Sequence, residues 1–289
     1  MLRRKILTAA AGLAFPALRS ARAAQLIHYP RPEQNDHPWQ HKGLEHYPVR
    51  LLEMALGRSS RHYLAQPVPF MMTQGRATLE LQAGRQVDLM WTMSSRQREQ
   101  DLLPIRIPIY KGLIGWRLLL VRAADRARFA QVRNIDALRG LTFLQGHDWP
   151  DADILRANGL RVQPSSDYGG MFKMLATGRV DVFPRSVIEI WNEAEANASL
   201  GLVVEPHLVL RYPSAFYYFV NKANTALADD LRAGLESMLA DGSFDRLFRE
   251  YHEPLLRQAR LPARRVIDLV NPLLPSATPL ERRELWFRT

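Results

Sequence analysis

The 289-residue chain contains no cysteine. That excludes disulfides, a thiol nucleophile and cysteinyl metal sites, and it fits an oxidising compartment without proving one. No apolar run is long enough to span a bilayer comfortably; the stretch at residues 6–18 is short and is broken by Pro16. There is no Gly-x-Ser-x-Gly, no His-Glu-x-x-His, no phosphate-cradling loop and no dinucleotide fingerprint, and no carboxylate pair stands in a catalytic motif. Basic residues are numerous but form no Lys/Arg block, so the sequence gives no support for a nucleic-acid partner. Neither a cofactor nor a metal is expected.

What is present is the composition of a soluble globular protein, 47% hydrophobic and 24% charged, long enough to bury a sizeable core in one large or two medium domains. Residues 1–23 read as a removable export signal. Arg3, Arg4 and Lys5 form a charged start, residues 6–18 an apolar middle, and Ala21-Arg22-Ala23 a cleavage site. The Arg3-Arg4 pair also resembles a twin-arginine signal, and the flanks do not decide between export routes. Five of the 39 Lys and Arg residues lie in this segment, which holds no acid, so the remainder carries 34 against 29, or +5 rather than +10.

The chain is organised around residues 84–110, GRQVDLMWTMSSRQREQDLLPIRIPIY. A helix pattern over residues 73–83, with Thr73 as N-cap, ends at Gly84. Residues 87–90 read as a buried parallel strand. Trp91, Thr92 and a Ser-Ser-Arg-Gln-Arg turn carrying Arg96 and Arg98 follow. Ligands of open α/β sheets sit beyond the carboxyl ends of the strands, where an aromatic, a hydroxyl and two guanidiniums make a binding lip.

These motifs resemble those of the bacterial periplasmic solute-binding proteins of the polar-amino-acid type: Gly-Arg-x-Val-Asp-Leu, then Met-Ser-Ser-Arg-Gln-Arg-Glu, then an apolar Pro-Ile-Tyr. Residues 138–146 (LRGLTFLQG) resemble the opening of that family's second lobe, and residues 238–248 (MLADGSFDRLF) its closing helix, Asp-Gly turn and helix. The resemblance implies a mixed α/β fold of two lobes, each a sheet flanked by helices, with a ligand cleft between them. It implies that Arg98, or Arg96 one residue off register, holds a ligand carboxylate. His147, Asp148 and Trp149 stand where the family usually has Ser or Thr for that carboxylate. Ser186, beside Arg185, stands where it has an acid for the α-ammonium. Both departures imply a different ligand chemistry, with Arg98 and Arg185 facing each other to favour an anion unless Asp148, Glu33 or Glu189 supplies the missing charge. Tyr29 and Glu33 occupy the family's first aromatic segment; Tyr29 either stacks on ligand or fills core, and Glu33 either meets a cation or is solvated.

Other signals are plainer. Gly-Arg-Gln-Val-Asp at 84–88 and Gly-Arg-Val-Asp at 178–181, each between a helix and a strand, are what two similarly wound lobes produce, with Asp88 and Asp181 pinning backbone. His37 and His41 read as a solvated loop rather than a metal grip, since Pro38 separates them. The aromatic run 216–219 reads as sheet core. Residues 115–122 and 214–220 are expected to pair near the hinge. The expected division is 1–23 signal, 24–122 with 212–289 as the first lobe, and 123–211 as the second. The extension 254–289 is expected to wrap the first lobe or dock a partner. The functional expectation is a periplasmic monomer capturing a small solute for an importer. Alternatives are a sensory partner of a membrane protein's periplasmic domain, or a dehydratase/lyase-type cleft enzyme using Glu33 and His147.

Overall fold

A computed structural model describes residues 24–32 and 46–288. Glu33, His37 and His41 lie outside the described residues.

The first sheet begins with β1 (Gln25–Pro32) and β2 (Tyr63–Met72), parallel to one another and linked through α1 (His46–Leu56). On α1, Tyr47, Leu51, Leu52, Ala55 and Leu56 are buried, the spacing of one helical stripe. After α2 (Gln74–Gln82) comes β3 (Leu89–Met93), and the chain then turns through α3 (Arg96–Asp101) into β4 (Leu103–Ile105). Strand β11 (Phe216–Val220) runs antiparallel between β3 and β4. Thus β3 has an antiparallel partner on one side, not the all-parallel setting its apolar run suggests. Its other side is fixed to β1 by Asp88, whose amide donates to the His28 carbonyl at 2.9 Å and whose carboxylate accepts the His28 N–H at 2.8 Å.

The second sheet repeats that device. Strands β6 (Thr142–Gly146) and β7 (Arg161–Ser165) are parallel, and Asp181 donates its amide to the Thr142 carbonyl at 2.9 Å while accepting the Thr142 N–H at 2.9 Å. The two aspartates therefore pin backbone, as their repeated motif suggests. Strand β8 (Phe183–Ser186) then lies antiparallel to β5 (Trp116–Arg122), which also pairs with β9 (Leu202–Val204) and β10 (Leu208–Arg211). The expected pairing of residues 115–122 with 214–220 does not occur. The unbroken burial of β5 from Trp116 to Val121 makes it a central strand of the second sheet, and β11 fills the gap between β3 and β4.

Helices α4 (Pro150–Ala157), α5 (Tyr168–Ala176) and α6 (Ile190–Ala196) accompany the second sheet. Pro150 opens α4, where its missing N–H costs nothing, and Asp167 caps α5 by accepting the Gly170 N–H at 2.9 Å. The paired helices α7 (Thr225–Ala240) and α8 (Ser243–Ala259) meet at Asp241-Gly242, with Gly242 at φ 73°. Tyr217, Tyr218 and Phe219 are buried, so the aromatic run is sheet core.

The tail does more than wrap the first lobe. Strand β12 (Arg265–Asp268) extends the second sheet beside β10, and Asn158 at the end of α4 holds Val270 through both its N–H and its C=O. Beyond this, the Leu273 carbonyl accepts the Arg96 N–H at 3.1 Å, Arg282 grips Glu236 of α7, and Lys111 donates to the Glu284 carbonyl. The extension thus binds elements of both sheets.

Candidate functional site

Sequence-selected residues converge where the tip of β3 and the start of α2 face the β6–α4 turn. Ser95 caps α3 by accepting the Arg98 N–H at 3.2 Å, which sends the Arg98 side chain back over the end of β3. Its guanidinium donates to the Met93 carbonyl at 2.8 Å and to the Gln74 side-chain oxygen on α2. Burial pulls the Arg98 pKa down to about 10, against the opposing pull of Asp148 and Asp151 from the second sheet's side, so it is charged at neutral pH.

Asp148 reaches the start of α2 nearby. Its Oδ2 accepts the Gly75 N–H at 3.1 Å in the first turn of α2, a place where unpaired helix amides favour an anion. His147 is half-exposed, its Nδ1 4.0 Å from Asp148 Oδ1. Trp149 stacks on Phe183 at 6.4 Å between ring centres, and the Arg185 guanidinium lies 4.7 Å from the Trp149 ring.

Arg185 does not face Arg98 as a free charge. Glu193 takes it with both oxygens, Glu189 approaches at 3.3 Å, and Tyr168 donates to Glu193 at 2.7 Å. Burial lowers the Arg185 pKa, but Glu189, Glu193 and Tyr168 outweigh that and hold it well above its ordinary value. The expected pair of opposed guanidiniums is therefore corrected: buried this deeply, Arg185 is stable only because Glu193 and Glu189 consume its charge. Ser186 is likewise committed, its hydroxyl donating to the Leu113 carbonyl at 3.0 Å and its amide to Glu189 at 3.1 Å.

Sequence reasoning missed a second buried pair. Arg117 of β5 donates to Asp151 of α4, to Glu189 at 3.4 Å and to the Tyr212 hydroxyl at 2.9 Å, and Tyr212 donates to Asp151 as well. The signal was present, an acid in the first turn of α4 and an arginine in an otherwise apolar strand, but the pairing needs the sheet register. Around this wall two guanidiniums, Arg117 and Arg185, stand among the carboxylates of Asp151, Glu189 and Glu193, leaving an excess of negative charge to which Asp148 adds.

On the first sheet, Trp91 is half-buried, 5.3 Å from Tyr29 and 6.2 Å from Tyr218 by ring centres. Tyr29 therefore packs against Trp91, the aromatic of the lip. Thr92 is fully buried and, by strand alternation, points to the face opposite Trp91; its hydroxyl has no partner among the described residues. No cluster of three His, Cys, Asp or Glu side chains among the described residues is placed to hold a metal.

No family model and no curated protein sequence matches the chain. Solved structures do. An ancestral arginine-binding protein bound to arginine is 14% identical, covering 78% of this chain and 97% of its own, with a TM-score of 0.58. A probable amino-acid ABC transporter extracellular-binding protein from Bacillus subtilis is 18% identical over 79% of this chain and 97% of its own, with a TM-score of 0.59. The chain has the two-lobed fold of type 2 periplasmic binding proteins. A histidine kinase sensor domain with similarity to periplasmic binding proteins shares the fold at 14% identity, covering 79% of this chain and 96% of its own, with a TM-score of 0.57. Arg98 and Gly75 stand with β3 and α2, and Asp148, Asp151 and Glu189 with β6, α4 and the start of α6. No helix among the described residues is long and apolar enough to cross a membrane.

Proposed function

We propose that the protein is a periplasmic solute-binding protein that captures a small, carboxylate-bearing solute by closing two lobes on it, for delivery to an importer. The first lobe holds the sheet of β1 to β4 and β11. The second holds the sheet from Trp116 to Arg211, extended by β12. The observation that carries the reading is Arg98, a charged and desolvated guanidinium at a strand tip, steered by Gln74 and Met93 and turned toward the opposite lobe. Binding works by differential contact: a solute that touches both jaws favours the shut state.

The charge of the second jaw refines the solute class. With Arg185 and Arg117 neutralised and carboxylate in excess, that jaw suits a positive group. The solute best matched is therefore a zwitterion, its carboxylate toward Arg98 and its cationic group toward Glu189, rather than a dianion. The solved structures bound to arginine and to glutamine hold ligands of that chemistry. A sensory role draws support from the kinase sensor domain of the same fold. Binding without turnover is the reading for the cleft.

A thermal-shift screen against amino acids, dicarboxylates and small cations tests this, because a solute at 100 times its dissociation constant adds about 2.7 kcal/mol of stability. Shifts with amino acids and none with dicarboxylates are expected. Shifts confined to dicarboxylates would overturn the zwitterion, and no shift with any solute would favour the sensory role.

A further inference from the structure

We propose that Asp148 is an internal latch, a carboxylate of the second lobe that occupies the anion-binding pole of the first and holds the cleft shut without solute. That pole is assembled from adjoining parts. Gln74 opens α2 and its side chain holds Arg98; Gly75 follows it and its amide donates to Asp148 Oδ2 at 3.1 Å. The first turn of α2 has no acid of its own, and Thr73 serves only the Arg76 amide. The Asp148 carboxylate thus bonds the helix end through the Gly75 amide and lies within the field of Arg98, both of which favour negative charge.

Asp148 has good reason to cross. In its own lobe Arg117 is held by Asp151 and Glu189, and Arg185 by Glu193 and Glu189. Half-exposed His147, with Nδ1 4.0 Å away, is too loosely placed to hydrogen-bond it. Opening the lobes strips Asp148 of the Gly75 amide and of Arg98 together. A solute carboxylate arriving at Arg98 brings a second negative charge beside the one Asp148 already places at this helix end, so solute and latch oppose one another. A latch that keeps nine molecules in ten shut weakens apparent affinity about 10-fold.

The latch stands on geometry alone, whereas its effect on affinity rests on the solute-binding reading above. The test therefore has two arms. Small-angle X-ray scattering on solute-free wild type, Asp148→Ala, Asp148→Asn and the control Asp153→Ala reads the opening directly. Asp153 is exposed on α4 and pairs within its own helix with Arg156. Asp148→Ala is expected to show a larger radius of gyration than wild type, Asp148→Asn an intermediate one, and Asp153→Ala none of the increase. Equal radii for all four proteins would overturn the latch. In the second arm, titration with L-arginine and L-glutamine is expected to give an apparent Kd about 10-fold tighter for Asp148→Ala. Weaker binding by that variant would overturn the competition and make Asp148 a ligand-binding group. If no protein binds either amino acid, the solute reading fails for these probes while the scattering still decides the latch. Asp148→Asn keeps the side-chain shape, so the comparison survives if the alanine variant folds poorly.

Discussion

Glu193 holds Arg185 by both carboxylate oxygens, with Nε donating at 2.8 and 2.7 Å and Nη2 at 2.6 Å, and neither side chain is more than 7% exposed. Removing one member of such a pair leaves an uncompensated buried charge, which costs about 3–5 kcal/mol. Glu189, at 3.3 Å from Arg185, offsets part of that. Glu193→Ala is therefore expected to lower stability by about 3 kcal/mol in urea unfolding. The double variant Arg185→Met with Glu193→Leu is expected to recover most of the loss. A single variant within about 0.5 kcal/mol of wild type, the range of an ordinary surface change, would contradict the pairing.

Gly234 of α7 crosses α1 so closely that a Cβ there would lie 2.1 Å from the Ala55 carbonyl oxygen. Alanine gains up to about 1 kcal/mol of helix propensity over glycine. The obstacle, however, is backbone, and α1 is fixed by buried Leu51 and Leu52, so overpacking wins. Gly234→Ala is expected to lower stability by about 2 kcal/mol in thermal unfolding. Any gain would contradict the close approach.

His252 is fully buried among Tyr47, Tyr110, Phe248 and Tyr251, and neither ring nitrogen has a partner among the described residues. Burial pushes its pKa down from 6.5 to about 3. The unfolded chain thus takes up a proton at this residue near pH 6.5 and the folded chain does not until near pH 3. Stability contributed here falls as pH is lowered through that window, by about 2 kcal/mol between pH 7 and pH 5. His252→Leu is expected to remove that much of the pH dependence and to cost little at pH 7. An unchanged stability-versus-pH curve would contradict it.

What the sequence made legible was local. Thr73 announces the start of α2 because a cap is read within three or four residues. Asp88 and Asp181 were legible because a motif repeated in matching contexts performs the same task on His28 and Thr142. The turn after β3 offered both Arg96 and Arg98, and the family resemblance put Arg98 first. What was hidden depends on register between distant strands. That β5 joins β8 rather than β11 is set by which neighbour completes each sheet, and neither strand's composition records it. The partner of Arg185 lies eight residues on, across a turn and a helix start, so sequence alone left its charge looking free. The route of the tail was hidden for the same reason, because the tail is held through the backbone groups of Val270 and Leu273, which any residue carries.

The most direct test concerns Arg98 itself. Once the screen supplies a solute, isothermal titration of wild type, Arg98→Lys and Arg98→Ala measures what the guanidinium contributes. Deleting one partner of a desolvated, charge-assisted hydrogen bond costs about 2–5 kcal/mol. Arg98→Ala is therefore expected to bind about 100-fold or more weakly, with Arg98→Lys between it and wild type. An alanine variant that binds the same solute as tightly as wild type would contradict the account.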